Sequence, residues 1–253
     1  MTGTLCRRSV SGVFAVVVLG LAACASTPAP HAGSDACAWS YRDPAGWWKI
    51  CPQFAACGTG SRQSPVDLTA PLARTLPELQ FAYGDREMTV VDTGHDVMAV
   101  LGPGGSSALT VGGRTYQLAQ FHFHEPSEHK VAGRGAPMEV HFVHADQGGE
   151  LTVVGVLMQK GERPNPAIAK VLTALSTGQP VRMDPSDLLP ADRSYFGYAG
   201  SLTTPPCTEG VRWHVLRGTI ELSQDQIDTF KKYHAGNARP VQHPNGRVVL
   251  SKE

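Results

Sequence analysis

Apolar and polar residues alternate along most of this chain. Alternation with a period of two is typical of β-strands that bury one face, and glycine, proline or aspartate bounds most of the alternating runs. The predicted strands are residues 87–91, 97–101, 108–111, 115–123, 138–144, 151–159, 211–220 and 248–250.

Two segments have the period of an amphipathic helix instead. Residues 164–177 carry apolar side chains at helical spacing and stop at Gly178. Residues 223–233 begin with Ser223 as the expected N-cap, and Gln226 three residues later predicts a capping box. Because strands outnumber helices, we predict a mainly β fold, built as a large, mostly antiparallel sheet with a few peripheral helices.

The N-terminal 23 residues have the composition of a secretory signal peptide. Arg7 and Arg8 precede an apolar run at 13–21, and small residues follow it. A buried N-terminal strand would not need the basic residues. We therefore expect residues 1–23 to be a signal peptide for export.

The sequence Leu-Ala-Ala-Cys that ends at Cys24 resembles a bacterial lipoprotein box, in which the new N-terminal cysteine is acylated. A plain signal peptide followed by an incidental cysteine is the alternative. Residues 24–36, rich in alanine, serine and proline, have the composition of a flexible tether. These features predict an exported protein of the periplasm or cell envelope, anchored to a membrane by lipid at Cys24.

The remaining residues, 37–253, are predicted to form one catalytic domain. The formal net charge is zero, with 22 basic and 22 acidic residues, so charge gives no reason to expect a nucleic-acid partner.

An exported domain lies in an oxidising compartment, where cysteines pair. Apart from Cys6 in the predicted signal peptide and Cys24, the chain has Cys37, Cys51, Cys57 and Cys207. Four cysteines allow three pairings, and spacing does not choose among them. None of them forms a Cys-x-x-Cys motif, which argues against a structural zinc bound by sulfur.

Two short segments carry the candidate chemistry. A Gln-Phe-His-Phe-His segment ends at His124, and a Glu-Val-His segment ends at His141. Residues two apart in a strand share a face, so His122 and His124 lie beside Gln120, and His141 lies beside Glu139. Three imidazoles from two neighbouring strands with one open position are the ligand set of a catalytic zinc site.

A single histidine in an apolar strand is usually a core or surface residue, and one His-x-His pair alone is weak evidence for a metal. The residues that accompany these histidines strengthen the evidence for a metal site. A metal-bound imidazole needs a partner for its other ring nitrogen, and Gln120 and Glu139 each precede a histidine by two residues. The sequence therefore predicts Zn²⁺ as the cofactor.

These segments resemble the signature segments of α-class carbonic anhydrases, and the short link after His124 resembles the bacterial branch. The resemblance covers roughly residues 39–250, in the family's order. It implies a central twisted sheet of about ten strands with zinc at the bottom of a cone-shaped cleft. The matching segments are residues 62–65 (Arg-Gln-Ser-Pro), 120–124, 126–129 (Pro-Ser-Glu-His), 139–144, 200–206 (Gly-Ser-Leu-Thr-Thr-Pro-Pro) and 237–240 (Asn-Ala-Arg-Pro).

The resemblance implies reversible hydration of carbon dioxide to bicarbonate and a proton by a zinc-bound hydroxide. It places the metal on His122, His124 and His141. Gln120, Glu139 and the backbone carbonyl of Asn237 would hold the outer ring nitrogens. A non-catalytic binding module of the cell envelope is the alternative, but such modules lack one or more of the three histidines, and this chain has all three.

The resemblance also assigns the residues around the metal. Thr203, next to Thr204, would donate a hydrogen bond to Glu128 and accept the proton of the hydroxide. Carbon dioxide would lie against an apolar wall, although ordinary core packing is the other interpretation of these side chains. The wall consists of Val143, Val153, Leu202, Val211 and Trp213.

His95 lies where the family carries its proton shuttle, and imidazole suits that task because its pKa is near neutral. An exposed turn histidine without a role is the alternative. Tyr41 resembles the residue whose hydroxyl orders the connecting waters. The family often has asparagine where this chain has Thr93 and Met98, which would alter the water chain.

The resemblance finally implies a disulfide between Cys57 and Cys207 that braces the loop carrying Thr203. Cys37 and Cys51 would then be left as a second pair, which would depart from the family pattern.

Overall fold

The computed structural model describes residues 37–102 and 107–252. The predicted signal peptide, the lipidation site at Cys24 and the tether lie outside the described residues. Within the described ranges, no helix is long and apolar enough to cross a membrane.

One large twisted sheet dominates the described part of the chain. Its main path has ten strands in the order β11-β4-β5-β7-β9-β10-β13-β12-β15-β2, and β3, β6 and β14 join it off this path. Most neighbours are antiparallel, whereas β10–β13, β10–β14 and β15–β2 are parallel. The predicted mainly β fold class is confirmed. The strands are Asp67–Leu68 (β1), Leu72–Ala73 (β2), Gln80–Ala82 (β3), Arg86–Asp92 (β4), Val97–Leu101 (β5), Ala108–Val111 (β6), Arg114–His124 (β7), Lys130–Val131 (β8), Met138–Ala145 (β9), Leu151–Lys160 (β10), Val181–Met183 (β11), Tyr195–Ser201 (β12), Glu209–Leu216 (β13), Ile220–Leu222 (β14) and Leu250–Ser251 (β15).

Six of the eight predicted strands match to within one residue at each end. The predicted strand 211–220 was wrong, because the chain turns after Leu216 and forms β13 and β14 separately. Gly218 sits in that turn, where an added Cβ would lie only 2.6 Å from the carbonyl oxygen of Asp192. The predicted strand 248–250 lies instead at Leu250–Ser251, and β12 was not predicted.

Three α-helices lie in the described ranges: Ala56–Thr59 (α1), Pro166–Thr177 (α2) and Gln224–His234 (α3). The second begins two residues later than predicted because Asn165 is its N-cap and accepts hydrogen bonds from two backbone N–H groups of the first turn. It ends, as predicted, at Gly178, which is left-handed. The capping box of Ser223 and Gln226 is present.

The two faces of the sheet bury different residues. Phe121 and Phe123 are at most 2% exposed and belong to the larger core, which α2 and α3 cover. His122, which lies between them in sequence, and His124, which follows Phe123, point to the opposite face, as the alternation predicted. The strand β7 therefore separates an apolar core from the candidate site.

Both disulfides are formed, one between Cys57 and Cys207 and one between Cys37 and Cys51. The first ties α1 to the segment that follows Thr204, and the backbone N–H of Cys207 donates to the Thr204 carbonyl oxygen at 2.8 Å. The loop beside the candidate site is thus held covalently and by a turn.

Candidate metal centre and active site

Three imidazoles meet on one face of the sheet. Strand β7 contributes His122 and His124, and β9 contributes His141, which lies directly opposite His122 in the strand register. One ring nitrogen from each residue falls within 4.8 Å of the others. This convergence of three nitrogens fits one metal ion.

The outer nitrogens of the two β7 imidazoles are held by neighbours. His122 Nδ1 donates to Gln120 Oε1 at 2.9 Å, and His124 Nδ1 donates to the backbone oxygen of Asn237 at 2.8 Å. Both contacts are those expected from the resemblance. The buried Nε2 of His124 has no hydrogen-bond partner in the described part of the chain, as a nitrogen reserved for a metal would.

The third imidazole is held by the buried carboxylate of Glu139. His141 Nε2 lies 2.9 Å from Glu139 Oε1, close to it but outside hydrogen-bond angles. The other carboxylate oxygen accepts the backbone N–H groups of Glu128 and His129. Burial alone would raise the pKa of Glu139, but the His129 and His141 imidazoles hold that pKa well below its usual range. Glu139 is therefore ionised, and its position beside Nε2 of His141 leaves Nδ1 as the nitrogen free for a metal.

The electrostatics suit a metal ligand set. Burial lowers the pKa of His141 to about 4 and that of His122 well below its ordinary value. At neutral pH these imidazoles are uncharged, and each keeps a lone pair. Neutral imidazole nitrogens are the form of histidine that binds Zn²⁺.

The apolar wall is assembled next to the imidazoles. The indole of Trp213 lies 4.8 Å from the His141 ring, measured between centroids. Val143 is the cross-strand partner of both Gln120 and Val153, so all three lie on the imidazole face. The predicted wall forms one apolar cluster. Val153, Val211 and Trp213 are buried members of this larger cluster, and Val143 and Leu202 are partly buried and pack against it.

The predicted hydrogen bond from Thr203 to Glu128 is absent among the described residues. Glu128 Oε1 accepts the backbone N–H of Arg239 at 2.8 Å, and Oε2 has no hydrogen-bond partner. That oxygen lies 3.6 Å from His124 Nε2 and 3.8 Å from His141 Nδ1. The carboxylate thus lies beside the imidazole nitrogens, and donation from the Thr203 hydroxyl to Glu128 stays a prediction.

Thr203 is buried beside the site, at 5% exposure, and Thr204 is partly buried. Thr204 offers its carbonyl oxygen to Cys207, as described above. Both threonines therefore lie in the expected loop.

Arg239 is a residue whose role the sequence analysis missed. It is 2% exposed, and besides holding Glu128 it donates to the carbonyl oxygens of Ser64 and Cys57 at 2.7 and 3.0 Å. Burial lowers the pKa of Arg239 to about 10, which leaves it cationic at neutral pH. The sequence signal for Arg239 was its position in the matching segment 237–240. Within that segment only Asn237 had been given a role.

His129 extends the network behind His141. Its Nδ1 lies 2.7 Å from Glu139 Oε1, and its Nε2 lies 2.6 Å from the hydroxyl of Tyr198. That hydroxyl in turn donates to Ser64 Oγ at 3.0 Å. A chain of contacts thus fixes the carboxylate that holds His141, and only tertiary structure brings its members together.

The expected shuttle residue lies on the edge of the same face. His95 is partly buried, and its ring stacks on Trp39 with centroids 3.8 Å apart. Its backbone oxygen accepts from the side-chain amide of Asn237 at 3.2 Å. Burial lowers the pKa of His95. Residues 93–96 form a turn in which the Thr93 hydroxyl donates to Asp96.

Tyr41 packs its ring edge against Trp39 and Trp47. Its buried hydroxyl has no hydrogen-bond partner among the described residues, and burial raises the pKa of Tyr41 well above its ordinary value. The Tyr41 hydroxyl is therefore protonated and neutral at pH 7.

Several known proteins are similar to this chain in sequence and in architecture. A family model for eukaryotic-type carbonic anhydrases matches residues 42–253. The carbonic anhydrase of Neisseria gonorrhoeae is 40% identical over 92% of this chain and 94% of its own length. The α-carbonic anhydrase of Thermovibrio ammonificans, solved with the inhibitor sulfanilamide, is 39% identical with a TM-score of 0.79, covering 85% of this chain and 99% of that one. That of Photobacterium profundum is 40% identical with a TM-score of 0.78, covering 84% and 100%. The chain therefore belongs to the α-class carbonic anhydrases and is an enzyme of that family.

Proposed function

We propose that this enzyme hydrates carbon dioxide reversibly with one zinc ion held by His122, His124 and His141. The observation that carries the proposal is their convergence, with outer nitrogens held by neighbours and a buried His124 Nε2 left without a partner. When bound, zinc would lower the pKa of a coordinated water to about 7 and so supply a hydroxide nucleophile at neutral pH. A non-catalytic module of this family would lack one or more of the three histidines, and this chain has all three.

The wall around Trp213 provides the place for carbon dioxide, which has no strong hydrogen-bonding group. Val143 and Val153 keep charged groups and excess water away from one side of the imidazoles. Thr203, which follows Leu202 of the wall, is placed to orient the reacting oxygen through its hydroxyl. Thr204 supports the loop that carries it.

The proton produced must leave the site. His95 is our candidate carrier because it lies at the edge of the imidazole face, is partly exposed, and is largely neutral at pH 7 given its lowered pKa. In this proposal the Tyr41 hydroxyl, which has no hydrogen-bond partner among the described residues, helps to order the waters that carry the proton to His95.

The experiment that tests this function is a stopped-flow hydration assay on purified protein, combined with metal analysis. We expect about one zinc per chain. Thr203→Ala should keep the zinc but slow hydration roughly 10²-fold, as expected for loss of a preorganised transition-state contact. Thr203→Ser, which keeps the hydroxyl, should recover most of the rate. Protein that carries zinc without hydrating carbon dioxide would refute the proposal.

Sulfanilamide gives an independent check, since it is the inhibitor bound in the Thermovibrio ammonificans relative. We expect it to inhibit hydration by this enzyme at micromolar concentration. Full activity at saturating sulfanilamide would contradict the proposed site geometry.

We further propose that the enzyme is an envelope lipoprotein. The support is the box that ends at Cys24 and the tether that follows it, because acylation of a cysteine at that position would anchor the chain to a membrane. Cys24→Ser should move the full-length protein from the membrane fraction to the soluble fraction. The matched variant Cys6→Ser should leave the distribution unchanged. Wild-type protein found soluble in the periplasm would contradict the lipid anchor.

A further inference from the structure

The face of the sheet opposite the three imidazoles carries a second cavity, with a volume of about 330 Å³. Its floor is formed by β12 and β13, where Gly197 and His214 are cross-strand partners. Leu76 and the turn between β6 and β7 form the walls. Because Trp213 contacts His141 and successive residues alternate faces, His214 points away from the metal centre.

The space exists because β12 has a glycine at this point. An added Cβ on Gly197 would meet only Tyr195 at 3.4 Å and Leu76 at 3.7 Å, which are ordinary contacts. The backbone therefore does not require a glycine here. Its lack of a side chain leaves an open area beside His214.

His214 is the unusual member of this cavity. It is 8% exposed, and neither ring nitrogen has a hydrogen-bond partner within the described ranges. A buried polar group without a hydrogen-bond partner destabilises the folded protein. Burial, with a smaller effect from Arg212, lowers the pKa of His214 to about 4. The ring is neutral at pH 7 and offers one donor and one acceptor.

The charges at the rim are already paired with each other. Arg114 contacts Asp146 at 2.9 Å and Glu150 at 2.6 Å, and Arg212 contacts Glu150 at 3.2 Å. Both arginines that line the cavity are thus paired with carboxylates, which favours a neutral ligand over an anion. The volume lies at the small end of the range for ligand sites, which favours a compact one.

We propose that this cavity binds a small neutral ring compound with one hydroxyl group, of the phenol class, whose hydroxyl pairs with His214. A hydroxyl donates and accepts, as the unpaired imidazole requires. The ring would lie over Gly197 against the apolar side chains of Leu76, Val111 and Leu250. The pairing requires the imidazole to turn a nitrogen toward the cavity, because both nitrogens are now buried.

The test is a calorimetric titration of the protein with phenol, and with benzene as the matched probe that lacks the hydroxyl. We expect saturable 1:1 binding of phenol. Gly197→Leu should abolish binding of both probes by filling the cavity. His214→Leu should weaken phenol about five- to tenfold, the value of one hydrogen bond, and leave benzene unchanged. His243→Leu, at an exposed histidine, is the control.

Gly197→Ala serves if the leucine variant does not fold, because a Cβ fits there, and it should weaken both probes. Phenol that binds equally well to the Gly197 variants would be bound elsewhere, and this overturns the proposal. So does an absence of saturable binding, which would leave water as the only occupant. An unchanged phenol affinity in His214→Leu overturns the pairing. Zinc content and hydration are not part of the readout, so the result is independent of the proposed function.

Discussion

The two faces of one sheet each bury histidines, but in different ways. On the front face, His122, His124 and His141 converge, and a neighbour lies within 2.9 Å of each outer nitrogen. On the back face, His144 contacts the Tyr83 hydroxyl and the Thr152 carbonyl oxygen. His214 contacts no hydrogen-bonding group in the described part of the chain.

This difference shows which structural features identify a metal site. Burial lowers the pKa of His141 and His214 to about 4 and that of His144 to about 3, so a depressed pKa occurs on both faces. Only the front face combines convergence with outer partners. Geometry, rather than burial, separates the candidate site from histidines that line a core or a cavity.

The largest expected effect is the loss of zinc and activity on removal of His141, and His144 on the same strand provides the control. His141→Ala should remove most of the zinc and nearly all hydration activity, because loss of a ligand should exceed the 10- to 100-fold cost typical of losing a ligand's supporting partner. His144→Leu, three residues later on the opposite face, should keep about one zinc per chain and the activity. Metal analysis and stopped-flow assays measure both.

A full zinc content with normal hydration in His141→Ala would remove the metal assignment. Loss of zinc in His144→Leu, with the fold intact by circular dichroism, would show that the two faces are not independent.

The next effect concerns acid stability. Folded His214 has a pKa of about 4, below the 6.5 of an unperturbed histidine, so the unfolded chain binds more protons between these pH values. The free energy of unfolding should therefore fall as the pH drops from 6.5 toward 4, by about 3 kcal/mol for this residue. His144, with a folded pKa of about 3, acts in the same direction.

Urea unfolding at several pH values measures this effect. His214→Leu should lose less stability than wild type between pH 6.5 and 4.5, whatever its stability at pH 7.5. Parallel pH profiles for the two proteins would mean that His214 is not buried in its neutral form.

Glu139→Gln tests the support of the front face. The amide removes the charge that lies between His129 and His141, so zinc affinity should fall about 10- to 100-fold. Competition with a chelator measures it. Glu150→Gln, at an exposed carboxylate, should leave the affinity unchanged. An equal affinity in both variants would show that the Glu139 charge does not position His141.

Local patterns predicted the parts of the fold that depend on local physics. The alternation of Phe121, His122 and Phe123 assigned their faces correctly, because the strand period is two. The cap at Ser223 was likewise predicted from residues three apart. These features need no knowledge of distant segments.

The features that local sequence patterns did not predict depend on residues far apart in the sequence. Strand β12 contains Gly197 and Gly200, which weaken a strand pattern. An added Cβ on Gly200 would lie 2.1 Å from Ser64 Oγ, so a distant serine accounts for that glycine. The contact between His124 and Asn237 spans 113 positions, and only the family resemblance anticipated it.

The smallest expected effect concerns His95, at the edge of the front face. If it carries the proton, His95→Ala should lower kcat several-fold in dilute buffer and leave kcat/KM nearly unchanged. The two parameters separate because carbon dioxide is captured before the proton is exported, and export limits the rate only at saturation. A stopped-flow series across buffer concentrations measures both.

Imidazole buffer should restore the lost rate by accepting the proton directly, and this recovery distinguishes proton transfer from a structural change in the Trp39 stack. The same substitution at the exposed His243 should change neither parameter. If His95 is an idle turn residue, kcat in dilute buffer will equal that of wild type. That outcome would leave the three converging imidazoles as the only histidines with a part in the reaction, and proton export would then depend on water ordered by groups such as the unpartnered Tyr41 hydroxyl.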